Sequence, residues 1–376
     1  MTNDKENLDG YNVHGSNRPR AALPGFTEHV FTSSSGVEQQ IRVWPADPPL
    51  SSPAPFVTWT HGGGWFAGNN FGPLAWMHPG MRARGYHLVS NTYRLGPQVR
   101  VDEQVDDCIE AIAWCRANLP KILGADKVDV DRYVICGESA GGTMVTLMGH
   151  RSLSPPPRAI IDCYGVTDLL DLIEKHGWKG GIFPSSEGDA KWEGEFSQEE
   201  LEAFLGDRNP KNIVTQSLFG DEHTRLKEKT VQEAWLAPNF KYTKRIRLQA
   251  DLHTWRVVVK SKTALSFLRG SIHSERFSNV GDLKKYITSV SSLRLLEGKE
   301  SYPPTAFLHG TGDEAVSLEQ SKAMASKLRE MGVPVIECYE PNLPHVFDNK
   351  YTSPDVPGWD TYIQPLLDFV NHHVNK

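Results

Sequence analysis

The sequence predicts an α/β protein in which a mostly parallel central sheet is covered by helices on both faces, with a mainly helical insertion between the sixth and seventh strands. Three observations carry this. Short apolar runs such as "PFVTWTH", "RAIIDCYGV" and "PPTAFLHG" are continuous rather than alternating, as strands buried on both faces require. They alternate with helix-spaced segments, the pattern of parallel strands joined by crossovers. One stretch breaks the rhythm: between Gly165 and Tyr302 lie about 140 residues, where such connections normally take a few.

The elements follow in order. Residues 1–25 are polar and read as a flexible N-terminal arm. "EHVFT" and "EQQIRVWPA" alternate like antiparallel strands joined by "SSSG", and belong at a sheet edge. "PFVTWTH" is a third strand, and Gly85 to Leu95 a fourth. "VDEQVDDCIEAIAWCRANL" places Val105, Cys108, Ile109, Ile112, Ala113 and Leu119 at helical spacing, with acids in the first turn where they complement the helix dipole. "DVDRYVICGESAGGTMVTLMGH" is a strand, a tight turn and a small-residue helix. After the strand "RAIIDCYGV" comes the insertion. A helix following Ser197, another in "SKTALSFLRG" and a third in "EHTRLKEKTVQEAWLA" are expected there. "PPTAFLHG" is the seventh strand. A helix ending near Gly332, the strand "VPVIECYEP" and a last helix in "WDTYIQPLLDFVNHHV" complete the chain.

The bulk numbers bound the function. The chain has 376 residues, too long for one ordinary core and short for three domains. Its net charge of −6 argues against a nucleic-acid partner, which would want a basic surface. Five cysteines at spacings that fit no zinc or redox motif read as small buried hydrophobes of a reducing compartment, and no metal is expected. The first residues lack the apolar core of a secretory signal, and no apolar run is long enough to span a membrane. The expected compartment is the cytoplasm. A homodimer is compatible with the sequence.

"GESAGG" places Ser139 in G-x-S-x-G between a strand and a helix, the context in which that motif marks an activated nucleophile. A serine needs a base, and the base an orienting acid. His345 in "PNLPHVF" follows the last strand and is the expected base; His309 precedes the acid in sequence and reads as a turn or packing histidine. Asp313, after "TAFLHG", is the expected acid, ahead of Asp168; Glu314 should point elsewhere. "HGGGW" follows the third strand. Attack on a carbonyl creates an oxyanion, and backbone N–H groups are its preorganised donors. Gly62, Gly63 and Ala140 are the expected donors, and His61 braces the loop. Gly64 and Trp65 are placed at the substrate pocket, with plain packing as the alternative for Trp65.

"HGGGW", "YRLGP", "GESAGG", "PPTAFLHGTGDEAV" and the histidine of "LPHVF" together resemble the α/β-hydrolase superfamily, and within it the hormone-sensitive-lipase-like carboxylesterases. The resemblance spans most of residues 25–165 and 303–376. It implies the α/β-hydrolase fold and a cofactor-free serine hydrolase that cleaves a small-molecule ester through an acyl-enzyme. "HGGGW" is also similar to the HGG-x-W of kynurenine formamidases. This chain departs from the family's usual pattern at "YRLGPQ", at Glu138 where aspartate is common, and in the length of the insertion. The expected division is therefore a core of residues 26–165 and 303–376 and a lid over 166–302, whose tryptophans point to a bulky or aromatic substrate. Thioester cleavage, acyl transfer, cyclisation, lyase chemistry and arylformamide hydrolysis use the same residues and stay open; a non-catalytic receptor is the remaining alternative.

Overall fold

The computed structural model describes residues 25–175, 178, 180, 196–217, 243–246, 248–249, 252 and 267–376. The strands are β1 (Thr27–Thr32), β2 (Glu38–Trp44), β3 (Ala54–Thr60), β4 (His87–Asn91), β5 (Val128–Glu138), β6 (Ala159–Cys163), β7 (Thr305–Gly310) and β8 (Val335–Glu340). They form one eight-stranded sheet in the order β1-β2-β4-β3-β5-β6-β7-β8. β2 is antiparallel to both β1 and β4, and the remaining pairs are parallel. The expected antiparallel edge is therefore present. β4 is shorter than its sequence run, because it ends where the chain turns away towards Arg94.

Successive residues of the central strands enter opposite layers, as the period of two demands. Phe56, Val89, Ile135, Ile160 and Phe307 join one apolar cluster; Val57, Leu88, Val134, Ile161 and Leu308 join the other. The first cluster is covered by α1 (Val101–Leu123) and α2 (Ala140–Met148), with α3 (Leu169–Lys175) packed beside them. The C-terminal helix covers the second with Leu366, Leu367 and Val370. On α1, Val105, Cys108, Ile112 and Leu119 are buried as the spacing predicts. Ala113 is exposed instead, and Ala111 takes the buried place. All five cysteines are buried and free, in keeping with their apolar surroundings.

A buried ion pair fixes α1 to the end of β4. Arg94 Nε lies 2.8 Å from Asp107 Oδ2, and the Arg94 N–H donates to the same oxygen at 2.9 Å. Arg94 in "YRLGP" is thus structural.

Within the segment between β6 and β7, the helix expected after Ser197 is α4 (Gln198–Leu205). Ser197 Oγ accepts from the Glu200 N–H at 3.1 Å, and Glu200 returns the bond to the Ser197 N–H at 2.9 Å. A further helix, α5 (Val280–Ser289), has Asn279 as its cap. The helix expected in "EHTRLKEKTVQEAWLA", most of that in "SKTALSFLRG", and Trp192, Trp235 and Trp255 lie outside the described residues, as does the arm up to residue 24. The segment grips two loops above the sheet. Gln249 Nε2 donates to the Phe66 and Gly96 carbonyls at 3.1 and 3.0 Å, and Ser217 N–H to Gly68 O at 2.8 Å. Arg208 and His273 both donate to Pro97 O, at 2.8 and 2.9 Å. Beyond it, α6 (Glu319–Glu330) ends with Gly332 at φ +74°, and α7 (Gln364–Val374) closes the chain.

Removing Asp107 would leave the Arg94 guanidinium buried and uncompensated. Asp107→Ala is expected to lower unfolding stability by about 3 kcal/mol, read from urea denaturation; a loss below about 0.5 kcal/mol, the range of an exposed pair, would contradict the structural role.

Candidate active site

Four loops meet at the C-terminal ends of β3, β5, β7 and β8, where a parallel sheet presents its ligands. Ser139 sits between β5 and α2 at φ 51°, ψ −118°, a strained conformation for a residue with a side chain. The turn closes through Ser139 N–H to Cys163 O at 2.8 Å and Thr143 N–H to Ser139 O at 3.1 Å. Glycine is required at 141 because a Cβ there would be driven into the Thr60 carbonyl at the end of β3. Strain concentrates around this point. Among the described residues, six non-glycine residues have positive φ, and five of them (Trp65, Ser139, Tyr164, Asn342 and Val346) lie on loops that follow sheet strands here.

The structure brings the three expected polar residues together. His345 Nε2 lies 3.0 Å from Ser139 Oγ, and His345 Nδ1 lies 2.6 Å from Asp313 Oδ2. Asp313 Oδ1 accepts the Ala315 and Val316 N–H groups, each at 2.8 Å, so the carboxylate is aimed by its own loop. With Nδ1–H donating to Asp313, Nε2 is left to accept the serine proton. Burial pushes the Asp313 carboxyl up, but the His345 and His309 imidazoles pull harder and hold it well below the usual carboxylate range. For His345 burial acts downward, and the Asp313 charge, helped by Glu138 and Asp348, outweighs it and raises the imidazole above its ordinary 6.5.

The rivals are placed elsewhere. Asp168 caps α3 through the Leu170 and Asp171 N–H groups and takes Arg294 Nε at 2.8 Å. Glu314 is exposed. His309 is fully buried against Ser321 Oγ (2.8 Å) and Val316 O (3.0 Å), and its Nε2 stands 3.3 Å from Asp313 Oδ2. It is a packing histidine, as expected, but one that also backs the acid.

The glycine loop lies against the serine. Gly63 has φ +108° and Gly64 φ +58°, and the Phe66 and Ala67 N–H groups fold back onto Gly63 O at 3.1 and 3.0 Å. A Cβ on Gly62 would stand 3.1 Å from that of Ser139. Ala140 opens α2, so its N–H has no carbonyl within the helix to bond. The Gly62 N–H, one of the expected oxyanion donors, donates to Glu138 Oε1 at 3.3 Å, which braces the loop. His61 braces it too, with Nδ1 2.8 Å from Gly62 O and its ring stacked on Tyr93 at 4.3 Å. Trp65 is 3% exposed and packs on Phe267 at 5.1 Å, the packing alternative of the sequence reading.

Sequence reasoning missed a second layer. Tyr164, at φ 46°, sets its ring edge against His345 with centroids 4.8 Å apart. Its hydroxyl lies 2.8 Å from Asp348 Oδ1 and 3.2 Å from Glu138 Oε2, and Trp76 Nε1 donates to Asp348 Oδ2 at 2.8 Å. The only available signal is position: Tyr164 directly follows β6, and Asp348 stands three residues after His345.

A doubly covered sheet of this order, with a serine on a strained strand-to-helix turn, defines an α/β hydrolase. The family model described as "alpha/beta hydrolase fold" matches residues 57–260, more than half of the chain, and the chain belongs to that family. Among solved structures it is similar to an alpha/beta hydrolase superfamily protein from Enterococcus faecalis (TM-score 0.56, 17% identity, 93% of this chain and 99% of that one). It is also similar to carboxyl esterase 2 of the mycorrhizal fungus Tuber melanosporum (TM-score 0.52, 15% identity, 99% and 97% covered). Among curated proteins it is 25% identical over 327 residues to the non-reducing polyketide synthase Preu6 of Preussia isomera. That match covers 85% of this chain and 13% of the synthase. Among the described residues no helix is long and apolar enough to cross a membrane, and no cluster of side chains could hold a metal ion.

Removing the Asp313 charge leaves burial as the main influence on His345, so Asp313→Asn should lower the imidazole's protonation midpoint. A proton NMR titration of the ring signals checks this; an unchanged or higher midpoint would contradict the electrostatic account.

Proposed function

We propose that the protein hydrolyses a carboxylic ester of a bulky or aromatic small molecule through an acyl-enzyme on Ser139. The observation that carries this reading is the placement of His345 Nε2 3.0 Å from Ser139 Oγ while its other nitrogen is held by Asp313. Ser139 Oγ attacks the ester carbonyl as His345 takes its proton. Asp313 holds the tautomer and stabilises the imidazolium. The oxyanion accepts hydrogen bonds from the N–H groups of Gly62, Gly63 and Ala140. The C–O bond to the alcohol breaks as His345 returns the proton to the leaving oxygen. Water then attacks the acyl group, with His345 again as base, and releases the acid. The segment between β6 and β7 acts as the lid of residues 166–302, and its hold on the loops at Phe66 and Pro97 supports that placement.

A second reading is favoured by one observation, the similarity to a polyketide synthase over 85% of this chain. On this reading the acyl donor is an aromatic polyketide held as a thioester, and the acceptor is water or a second hydroxyl.

The readings separate with p-nitrophenyl esters of rising acyl length and an aromatic acyl N-acetylcysteamine thioester, with a separate sample labelled by a fluorophosphonate. Ester turnover abolished by Ser139→Ala, down to a residue on the order of 10³-fold above the uncatalysed rate, supports the hydrolase. Thioester cleavage without ester turnover supports the second reading, and full activity in Ser139→Ala refutes both. His345 serves as base only when neutral, and its midpoint is raised. The kcat/KM profile should therefore fall as pH drops through a midpoint above 6.5 and level off on the alkaline side; a limb below 6.5 would contradict the assignment.

A further inference from the structure

The loop that carries Asp313 runs from the end of β7 to α6, and its two halves are anchored differently. The first half is tied to β8 and to the loop that bears His345. Thr311 N–H donates to Glu340 O at 2.8 Å, Gly312 N–H donates to Leu343 O at 3.0 Å, and Thr311 Oγ1 accepts the Asn342 N–H at 2.8 Å. The second half, Asp313 to Val316, rests on a side chain from β7. That side chain is His309, at 0% exposure. Its Nδ1 lies 2.8 Å from Ser321 Oγ on α6, and its Nε2 lies 3.0 Å from Val316 O and 3.3 Å from Asp313 Oδ2.

The chemistry of these contacts gives the ring a direction. A carbonyl oxygen only accepts, so Nε2 carries the hydrogen that goes to Val316 O. The same edge of the ring faces Asp313 Oδ2, the oxygen that takes His345 Nδ1 at 2.6 Å. Val316 joins the two contacts, because its own N–H donates to Asp313 Oδ1 at 2.8 Å. His309 therefore acts on the carboxylate twice. It sets a donor edge beside Oδ2, and it holds the residue whose amide holds Oδ1. The array reads serine, imidazole, carboxylate, imidazole, serine, from Ser139 through His345, Asp313 and His309 to Ser321.

We propose that His309 is the positioning residue of the acid: it fastens the Asp313 turn to α6 through Ser321 and, by holding Val316 beside Oδ2, aims the carboxylate at His345. The electrostatics agree in direction. Burial pushes the Asp313 carboxyl up, and the His345 and His309 imidazoles together outweigh it. The other ionisable groups around His309 are Asp162 on β6, Tyr164 with ring centroids 6.3 Å apart, and Tyr339 in register on β8. A carboxylate free to swing would lengthen its bond to His345, and the imidazole would lose both its fixed tautomer and the charge that supports its protonated form.

Leucine fills the space of the ring without a donor, whereas glutamine keeps an N–H near the place of Nε2. Asp313, Glu138 and Asp348, the charged groups that raise His345, are retained in both variants. The kinetic part of the test rests on the hydrolase reading; the spectroscopic part needs no substrate. In mildly alkaline buffer the His345 Nδ1–H shared with Asp313 should give a low-field proton NMR signal, identified by its absence in His345→Ala. His309→Leu should move that signal upfield and broaden it by exchange with water, and His309→Gln should leave it in place. A signal that stays or moves downfield in His309→Leu means that Asp313 keeps its aim unaided, and overturns the proposal whatever the protein turns over. In turnover, His309→Leu should lower kcat about tenfold or more with KM little changed, and His309→Gln should stay within about threefold of wild type, the scale set by a sub-ångström misplacement of a catalytic group. The acid limb of the pH profile should move to lower pH in His309→Leu and stay in place in His309→Gln. Equal losses in the two variants with an unmoved limb would reduce His309 to packing and overturn the proposal. If His309→Leu does not fold, Ser321→Ala, which releases Nδ1, takes its place: an upfield shift of the signal supports the proposal and an unmoved signal overturns it.

Discussion

The site depends on one backbone constraint, the turn that holds Ser139 at φ 51°, ψ −118° between β5 and α2. Such a conformation costs on the order of 1–3 kcal/mol and persists only where the surroundings overdetermine it. Here they do. The end of β3 presses against Gly141, β6 supplies Cys163 O to the serine N–H, and the helix that follows buries its residues against the sheet. The turn places the serine hydroxyl at the edge of the sheet, where the loops after β7 and β8 bring Asp313 and His345 to it. A larger residue at 141 would move Ser139, and with it the 3.0 Å contact to His345.

Around that turn the molecule arranges its charge in two layers. Asp313, held low by two imidazoles and two backbone amides, fixes the orientation of His345 and keeps it basic. Behind the histidine lie Tyr164, Asp348 and Glu138, which join the loops of β3, β5, β6 and β8 through side chains rather than backbone. The rigid sheet positions the strand ends, and this polar layer sets how the loops sit relative to one another. Its groups are buried, so each depends on its partners for hydrogen bonds that water cannot supply.

The fold was legible because its strands bury both faces and their apolar runs are unambiguous. All eight strands lie where the runs predict, with β4 the main difference in extent. Ser139, Asp313 and His345 were legible because each follows a strand in a known order. The contact of Gly62 with Glu138 was not legible, for a physical reason. The sequence offers three glycines in a row but not the direction of each N–H, and the Glu138 carboxyl that captures the first lies 76 residues away. Ala113 was misread because helix spacing marks a face only to within about one residue position, and Ala111 lies nearer its centre. Tyr164 and Asp348 carry no motif; only the meeting of β6 with the loop after β8 gives them a role.

The central claim is that Ser139 is the nucleophile and that the glycine loop and the start of α2 receive the charge that forms on attack. A crystal structure of the protein inactivated by a phosphonate ester tests it most directly. The account predicts phosphorus bonded to Ser139 Oγ, with the phosphoryl oxygen within hydrogen-bond distance of the Gly62, Gly63 and Ala140 N–H groups. Phosphorus on another residue, or a phosphoryl oxygen turned away from these amides, would contradict it.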